Sequence, residues 1–482
     1  MFDKPNLMAP SYLRNLGETE MTETKTAWRV TTAAGLMPFF GHLLQLRKGL
    51  LHFMESLPAQ GDLVQIQFGP WKAHVVCDSA LVDQMLRNDR TFDKGGPMFE
   101  KLRSVAGNGL VTCPYRDHRR QRRLLQPLFH RDRLPAYAQV MSEQITAVLD
   151  TWQDGQSIPV SAEMHRLAAR VVARTLFTGD PNTPEDPATR AAQVVEASLG
   201  AIMRGTYRHM VTPVAALQHL PTPGNRRYQR ARADIRAAVR RTLTEYRRRD
   251  SDHGDMLSAL VTARDVDGRP LDDAEIHDQI TTMLIAGIES TANGLTWALY
   301  TLASNPVLQD RLQDEADTVL GGRIATWDDL PRLDLASRII YETLRMYAPV
   351  WCLTRATSTS TELAGHPLPS GSTLIYSPYL IHHQPAHYPD PKRFDPDRWL
   401  PGPLAQRPRH AYIPFAAGAR KCIGDTFSLI DSTLTLASIA ARWHIQPPNA
   451  PPSPAARITL APKRLDLRMQ LRIAGVCKGV SD

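Results

Sequence analysis

Twelve residues, PFAAGARKCIGD at positions 414–425, constrain this chain more than any other stretch. They set Phe415, Gly418, Arg420, Cys422 and Gly424 in the order F-x-x-G-x-R-x-C-x-G, immediately before the helical pattern TFSLIDSTLTLASIAARW. A lone cysteine in a glycine-punctuated loop at a helix start is placed to be a thiolate. Cationic neighbours, here Arg420 and Lys421, and helix N-terminal amides both lower a thiol's pKa. Gly418 permits a tight turn, and Gly424 lets backbone approach a flat cofactor closely. Amides donating to the sulfur would tune its electron donation to a metal. A buried structural cysteine is the ordinary alternative for one isolated residue, and five fixed positions within ten residues argue against it.

The rest of the chain reads as a mainly helical core. Apolar residues recur at helical spacing around 119–130, 136–152, 162–178, 226–249, 273–304 and 333–347. Strand-like runs are short: LVQIQFG (63–69), AHVVC (73–77) and STLIYSP (372–378). A chain of 482 residues with 43% hydrophobic content can bury a large core. No repeat or long linker divides it, and the Pro-rich stretches at 181–187 and 447–454 read as surface loops. The expected fold is therefore mainly α with small β-sheets, in a single large domain over 27–475 behind a loose segment, 1–26.

No stretch reaches the roughly 18 apolar residues of a membrane span. The best candidate, TTAAGLMPFFGHLLQL, is broken by Gly35, Pro38 and Gly41, and the polar and acidic residues ahead of it are unlike a secretory signal. The five cysteines are scattered and odd in number, which fits a reducing compartment, so a cytoplasmic protein is expected. The net charge of +8 leaves two readings open: a nucleic-acid binder, or a basic face that docks an acidic partner. The basic helix NRRYQRARADIRAAVRRTLTEYRRR has no aromatic stacking platform, which favours a solvated face. The histidines, His382 and His383 among them, lack the spacing of a histidine-ligated metal site.

Three further segments stand in order along the chain. In RIIYETLRMYAP, Glu342 and Arg345 lie at i and i+3 on one helix face, and FDPDRW follows with Phe394, Pro396, Arg398 and Trp399. In HDQITTMLIAGIESTANGLTWALYTL, an apolar helix is interrupted by Ala286, Gly287, Glu289, Ser290 and Thr291. A glycine, an acid and hydroxyls there are costly and need a packing or functional reason; a hydroxyl bonding the carbonyl four residues back opens a small polar groove. In GLVTCPYRDHRRQRRLLQPLFH, His118 and Arg122 share a helical face, as do Arg119 and Arg123 on the next stripe.

Together these segments resemble the cytochrome P450 family, over about residues 35–470. The resemblance implies heme b, with Cys422 as the axial ligand of its iron within the loop that carries Phe415 and Gly424. It implies that His118, Arg122, Arg355 and Arg420 bind the heme propionates, a task suited to arginine's planar fork of donors. Glu342, Arg345 and Arg398 would form a structural triad bracing the cysteine loop. The groove residues Glu289 and Ser290 would relay protons to bound oxygen. Ser290 departs from the family's usual threonine, so either Ser290 serves, Thr291 shares the task, or coupling is poorer. Positions resembling the pocket wall are Phe92, Pro97, Met98, Phe99, Met203, Met210, Leu284, Ile285, Ala286, Val350, Trp351, Cys352, Leu353, Ile458 and Thr459. Nearly all are apolar, which suits a compact hydrophobic substrate.

The implied activity is a monooxygenase that hydroxylates or epoxidises a natural product, by local resemblance to bacterial sesquiterpene oxidases a terpenoid. No dinucleotide, flavin or ferredoxin-type cysteine motif is present, so the resemblance implies electrons from an external ferredoxin and its reductase, with O2 as co-substrate and a monomer in solution. The alternatives are a peroxide-using or rearranging heme-thiolate enzyme and, outside enzymes, a heme sensor or basic nucleic-acid binder. Neither nucleic acid nor membrane is expected as a partner.

Overall fold

The computed structural model describes residues 27–178, 186–212, 217–218, 220–249, 254–402 and 407–472. Its core is built from α1 (Ser79–Arg87), α2 (Pro97–Ala106), α3 (Tyr115–Leu125), α4 (Leu134–Leu149), α5 (Val160–Leu176), α6 (Pro187–Val211), α7 (Pro223–Arg249), α8 (Asp273–Ala303), α9 (Pro306–Leu320), α10 (Asp334–Tyr347) and α11 (Asp425–Arg442).

Helix α8 organises the others. Asp272 caps it by accepting from the Glu275 amide at 2.7 Å while Glu275 accepts from the Asp272 amide at 3.0 Å, a reciprocal pair that satisfies two otherwise orphaned donors. Its apolar residues are buried almost all round, the signature of a central helix. Gly287 has a packing reason: a Cβ there would lie 3.1 Å from Cγ2 of Val172, so glycine lets α8 lie close against α5. On α7 the residues Tyr228, Ala231, Ile235, Val239 and Leu243 are buried at helical spacing while Arg226, Arg227, Arg230, Arg240, Arg241, Arg247 and Arg248 are exposed, the solvated face expected from its sequence; Arg232 and Arg236 instead turn in, half-buried, to donate to the Ser104 carbonyl.

The strands used below are β1 (Val30–Thr32), β2 (Leu63–Phe68), β3 (Trp71–Val76), β4 (Phe92–Asp93), β5 (Ser157–Pro159), β6 (Leu353–Thr357), β7 (Thr373–Tyr376), β8 (Trp443–Ile445), β9 (Pro454–Ala456), β10 (Leu460–Pro462) and β11 (Asp466–Leu471). Six form a mixed sheet in the order β1-β2-β3-β7-β6-β4, parallel at β1–β2 and β3–β7 and antiparallel elsewhere. The register Asp93↔Ala356 matters for the site, because it sets Lys94 beside the strand that carries Arg355. β8, β11 and β5 form a second sheet, and β9 and β10 a hairpin whose tip carries Ile458 and Thr459. The fold is thus mainly helical with small sheets, in one domain.

Two expectations need correcting. Pro187 is not surface loop but the first residue of α6, where its missing N–H costs nothing, and Asp186 caps it by accepting from Thr189 N at 2.7 Å. Pro454 likewise opens β9. Residues 181–185, the segment 1–26 and the end of the domain at 473–475 lie outside the described residues.

Candidate functional site

The cysteine loop turns through two left-handed residues, Ala416 at φ 57° and Gly418 at φ 68°. At Gly418 a Cβ would sit 2.2 Å from the Leu86 carbonyl oxygen at the end of α1, so the turn packs backbone to backbone and requires glycine. The Cys422 amide donates to the Phe415 carbonyl at 2.9 Å, closing the loop. At Gly424 a methyl group would meet only Phe129 at 3.5 Å, so the protein's own packing does not demand glycine there.

Cys422 has solvent-accessible surface. Protein nonetheless surrounds it closely enough that burial pushes its pKa up, with Asp425 adding to the rise, while a hydrogen bond from the Gly424 amide and the charges of Arg122 and Lys94 oppose it. This corrects the expectation that the flanking cations activate the thiol. Arg420 is instead bound to Asp93 (2.7 Å), Asp89 (3.2 Å) and the Cys113 carbonyl (3.0 Å), and Lys421 to Asp425 (2.6 Å). Nearby carboxylates compete for both.

Beside the loop lies a concentration of buried positive charge. Arg355 on β6 is 1% exposed, its Nε and Nη1 have no hydrogen-bond partner among the described residues, and its guanidinium lies 5.6 Å from the Tyr376 ring centroid. Lys94 donates to the Val111 carbonyl at 2.8 Å; burial and the charges of Arg355 and Arg420 push its pKa down to about 7. His118, buried on α3, is pushed down to about 3 by burial and by Arg420, Lys94, Arg122 and Arg355. Arg122 donates to the Lys421 carbonyl and, at 3.0 Å, to Gln126. His118, Arg122, Arg355 and Arg420 therefore share one electrostatic environment, together with Lys94, which the sequence reading missed. A single lysine in TFDKGG carries no periodic signal; only the β4–β6 register reveals it.

Four cations, Lys94, Arg122, Arg355 and Arg420, face two carboxylates, Asp89 and Asp93. Buried guanidinium donors left unpaired are costly, so the cluster is chemically suited to an anionic group carrying carboxylates, and heme b with its two propionates fits that donor set.

On α8 the Ser290 hydroxyl donates to the Ala286 carbonyl at 2.8 Å, the back-bond expected from the sequence. The helix nevertheless stays α-helical through this point. Ala286 is exposed although its neighbours Leu284, Ile285 and Ile288 are buried. Thr291 faces another way: its hydroxyl lies 3.2 Å from that of Ser428 on α11, so it does not share the Ala286–Ser290 bond. Glu289 accepts from Thr459 Oγ1 (2.9 Å) and Asn293 Nδ2 (3.1 Å) and meets His165 Nε2 at 3.1 Å. Burial alone would raise its pKa, but His165, Thr459 and Asn293 outweigh burial and hold it below the ordinary glutamate value.

The expected pocket positions divide. Met98 and Phe99 are buried on α2, Met203 and Met210 half-buried on α6, and Val350, Cys352, Leu353, Ile458 and Thr459 half-buried. Phe92, Trp351, Leu284 and Ile285 are buried members of packed cores, Phe92 in the cluster that also holds Leu86 and Ile413, and the Trp351 indole donates to the Arg457 carbonyl at 2.8 Å.

The structure also brings Glu342, Arg345 and Arg398 together. Glu342 accepts from Arg345 Nε and Nη2, both at 2.8 Å, and Arg398 Nε lies 3.3 Å from it. The Trp399 indole (3.1 Å) and the Asp395 amide (2.9 Å) also donate to it. His382, buried beside this node, meets the Arg345 carbonyl through Nδ1 and accepts from the Ile413 amide at 2.9 Å through Nε2, so both ring nitrogens serve the backbone. Among the described residues no group of His, Cys, Asp and Glu is arranged to hold a metal ion, and no helix is long and apolar enough to cross a membrane.

A cysteine loop ahead of a helix, served by an amide and flanked by buried cations suited to propionates, defines the class of heme-thiolate proteins. The Cytochrome P450 family profile matches residues 33–469, and the chain belongs to that family. It is accordingly a heme b monooxygenase, an oxidoreductase that uses O2 and electrons from redox partners. It is 46% identical over 446 residues (92% of this chain, 98% of the relative) to pentalenene oxygenase of Streptomyces avermitilis. To cyclooctatin synthase of Streptomyces melanosporofaciens it is 43% identical over 443 residues, covering 91% of this chain and 95% of the relative. To cyclooctat-9-en-7-ol 5-monooxygenase of the same species it is 42% identical over 422 residues, 87% and 90% of the two chains.

Proposed function

We propose that this chain inserts one oxygen atom from O2 into a compact, cyclised terpenoid, with Cys422 as the thiolate ligand of the heme iron and electrons supplied by an acidic ferredoxin. When bound, heme b supplies the iron at which O2 is bound and reduced. Arg355, Arg420, Lys94, Arg122 and His118 hold its carboxylates, and the Gly424 amide tempers the charge on the Cys422 sulfur. Ser290 keeps a hydroxyl in the groove of α8, and Glu289 supplies the protons that oxygen reduction consumes. Leu284, Ile285, Met98, Phe99 and Met203 give the substrate an apolar surround and exclude water.

One observation carries the reading: Ala286 is exposed beside the buried Leu284, Ile285 and Ile288 of α8, one turn before Ser290, so a small hydroxyl-bearing spot opens on an apolar wall. That surface suits a hydrocarbon skeleton attacked at one carbon. The relatives' names, which concern pentalenene and cyclooctatin, point the same way.

The docking surface is carried by Arg119 and Arg123, both exposed on α3; Arg120 is committed to Asp265 (2.7 Å) and to Glu275 (2.5 Å) and takes no part. Approach of an acidic ferredoxin to such a face is steered by charge and weakened by salt.

The test is a screen of the ferric holoprotein for substrate-induced spectral shifts with pentalenene and other cyclised terpenes beside macrolides and aromatics. Products are then analysed with ferredoxin and reductase. Saturable shifts and oxygenated product from terpenes alone support the reading. A response confined to macrolides or aromatics contradicts it.

A further inference from the structure

None of Glu289's partners belongs to the Ala286–Ser290 bond. One carboxylate oxygen is taken by Thr459 and Asn293, and the other faces His165, a residue on a different helix, α5. The two helices meet closely here because Gly287, two residues before Glu289, leaves room for Val172. His165 has a second partner, the Ser161 carbonyl, 2.7 Å from Nδ1. A carbonyl and a carboxylate only accept hydrogen bonds, so both ring nitrogens must donate, and the ring that satisfies both is the imidazolium. Its side chain is 23% exposed against 14% for Glu289, so of the two it is the one that solvent reaches more readily.

We propose that His165 is a positioning residue for the oxygenation chemistry: it fixes Glu289 between α5 and the β9–β10 tip and renews the proton that Glu289 passes on. In that transfer the Nε2–H bond breaks and an Oε2–H bond forms, leaving neutral imidazole and a neutral carboxyl. Once Glu289 has passed that proton on and is again a carboxylate, the Nε2 lone pair takes a proton from solvent water, leaving hydroxide to the bulk and restoring the imidazolium. This rests on the reading of Glu289 as the groove's proton donor.

The surrounding charges agree with the geometry. Burial would push the imidazole down, but the hydrogen bond and charge of Glu289, the Ser161 carbonyl and the charge of Glu196 on α6 outweigh it and hold His165 above its ordinary value. The neighbouring Arg166 is bound to Glu163 at 2.6 Å, and Thr459 and Asn293 are uncharged. With Glu289 held low and His165 held high, the ion pair stands across the range between them and is lost as pH rises through the His165 pKa.

The experiment has two arms. In the first, histidine-labelled carbonmonoxy ferrous holoprotein is titrated by nitrogen-15 NMR. His165 is expected to titrate above the ordinary 6.5, and lower in Glu289→Gln, where only the Ser161 carbonyl and the charge of Glu196 oppose burial. A wild-type value below 6.5, or no change in Glu289→Gln, overturns the pairing without requiring any His165 variant to fold. The second arm compares His165→Gln with wild type, fed by ferredoxin and reductase with pentalenene as probe. Glutamine keeps a donor for Glu289 but cannot shuttle a proton. Product formation should fall roughly tenfold or more, released peroxide should rise and the alkaline limb of the pH profile should vanish, while the substrate-induced shift stays as in wild type. A wild-type pH profile and peroxide yield in His165→Gln, with Glu289→Gln inactive, overturns this inference alone. Full activity in Glu289→Gln overturns the relay reading itself, and this inference with it.

Discussion

The protein holds two clusters of buried charge, one around Glu342 and one around Arg355, and it balances them to different degrees. Around Glu342 the central pair is served by the protein: both carboxylate oxygens accept Arg345, Arg345 spends its remaining donors on the carbonyls of His382, Pro391 and Arg393, and Nε of Arg398, which makes no hydrogen bond, still lies 3.3 Å from the Glu342 carboxylate. Around Arg355 the protein stops short, leaving two buried guanidinium donors unpaired beside Lys94 and Arg420. The difference separates charge that holds the fold from charge that holds a ligand. A structural node balances each charge with an opposite one from the protein, whereas a binding node keeps charged donors free for the group it receives.

Breaking the satisfied cluster should have the largest effect. Glu342→Ala or Arg345→Ala strands an opposite charge that is fully buried, at a cost of about 3–5 kcal/mol. Soluble yield and urea unfolding should show aggregated or heme-free protein; folded holoprotein with wild-type stability would mean that the node is ornamental.

The unsatisfied cluster should respond with the reverse sign. Arg355→Met removes a charge that no protein group balances, so the apoprotein should unfold at equal or higher urea. Heme titration should weaken roughly tenfold to a hundredfold through loss of charged hydrogen bonds of about 1.5–3 kcal/mol. An apoprotein destabilised as much as Arg345→Ala would erase the distinction between the clusters.

A third buried charge sharpens the comparison. Asp431 on α11 is 2% exposed, its Oδ1 has no partner among the described residues, and burial pushes its pKa up to about 7. The folded state therefore holds this proton between the ordinary 3.8 and about 7, and stability is lost as pH rises through that window. Asp431→Asn should exceed wild type by about 1–3 kcal/mol near pH 8 and lose that advantage towards pH 4 in chemical unfolding. A constant offset at both values would show that the carboxyl is not the buried proton-binding group.

Much of this was written in local sequence. The Glu342–Arg345 spacing places both groups on one helix face, Ser290 bonds four residues back as its helical setting implies, and the apolar runs named from the sequence fall on α3, α4, α5, α7, α8 and α10 and on β2, β3 and β7 to within about five residues, while α1, α2, α6 and α9 carried no run singled out there. What stayed hidden depends on long-range pairing. Lys94 joins the arginines only through the β4–β6 register, His165 reaches Glu289 from another helix, and Arg420 turns from the thiol because Asp89 and Asp93 arrive from elsewhere in the chain. Charge adjacency in sequence misled at Arg420 and Lys421 for that reason.

Exposed charge should matter least to the fold. Arg119→Glu with Arg123→Glu should change stability by no more than about 0.5 kcal/mol. Ferredoxin-driven turnover at low salt should fall while peroxide-driven turnover holds. Equal loss of both rates would place these arginines at the heme, and DNA binding abolished by the same change would favour a nucleic-acid surface instead.

The central claim is that Cys422 is the iron's thiolate ligand, and the reduced carbonmonoxy difference spectrum of Cys422→Ser tests it most directly. The account predicts that wild type shows the red-shifted Soret band of a thiolate-ligated ferrous complex. The serine variant should lose that band while still taking up heme in the Arg355 cluster, because a hydroxyl cannot donate comparable charge to iron. A Cys422→Ser protein that keeps the band would place the ligand at another residue and contradict the account.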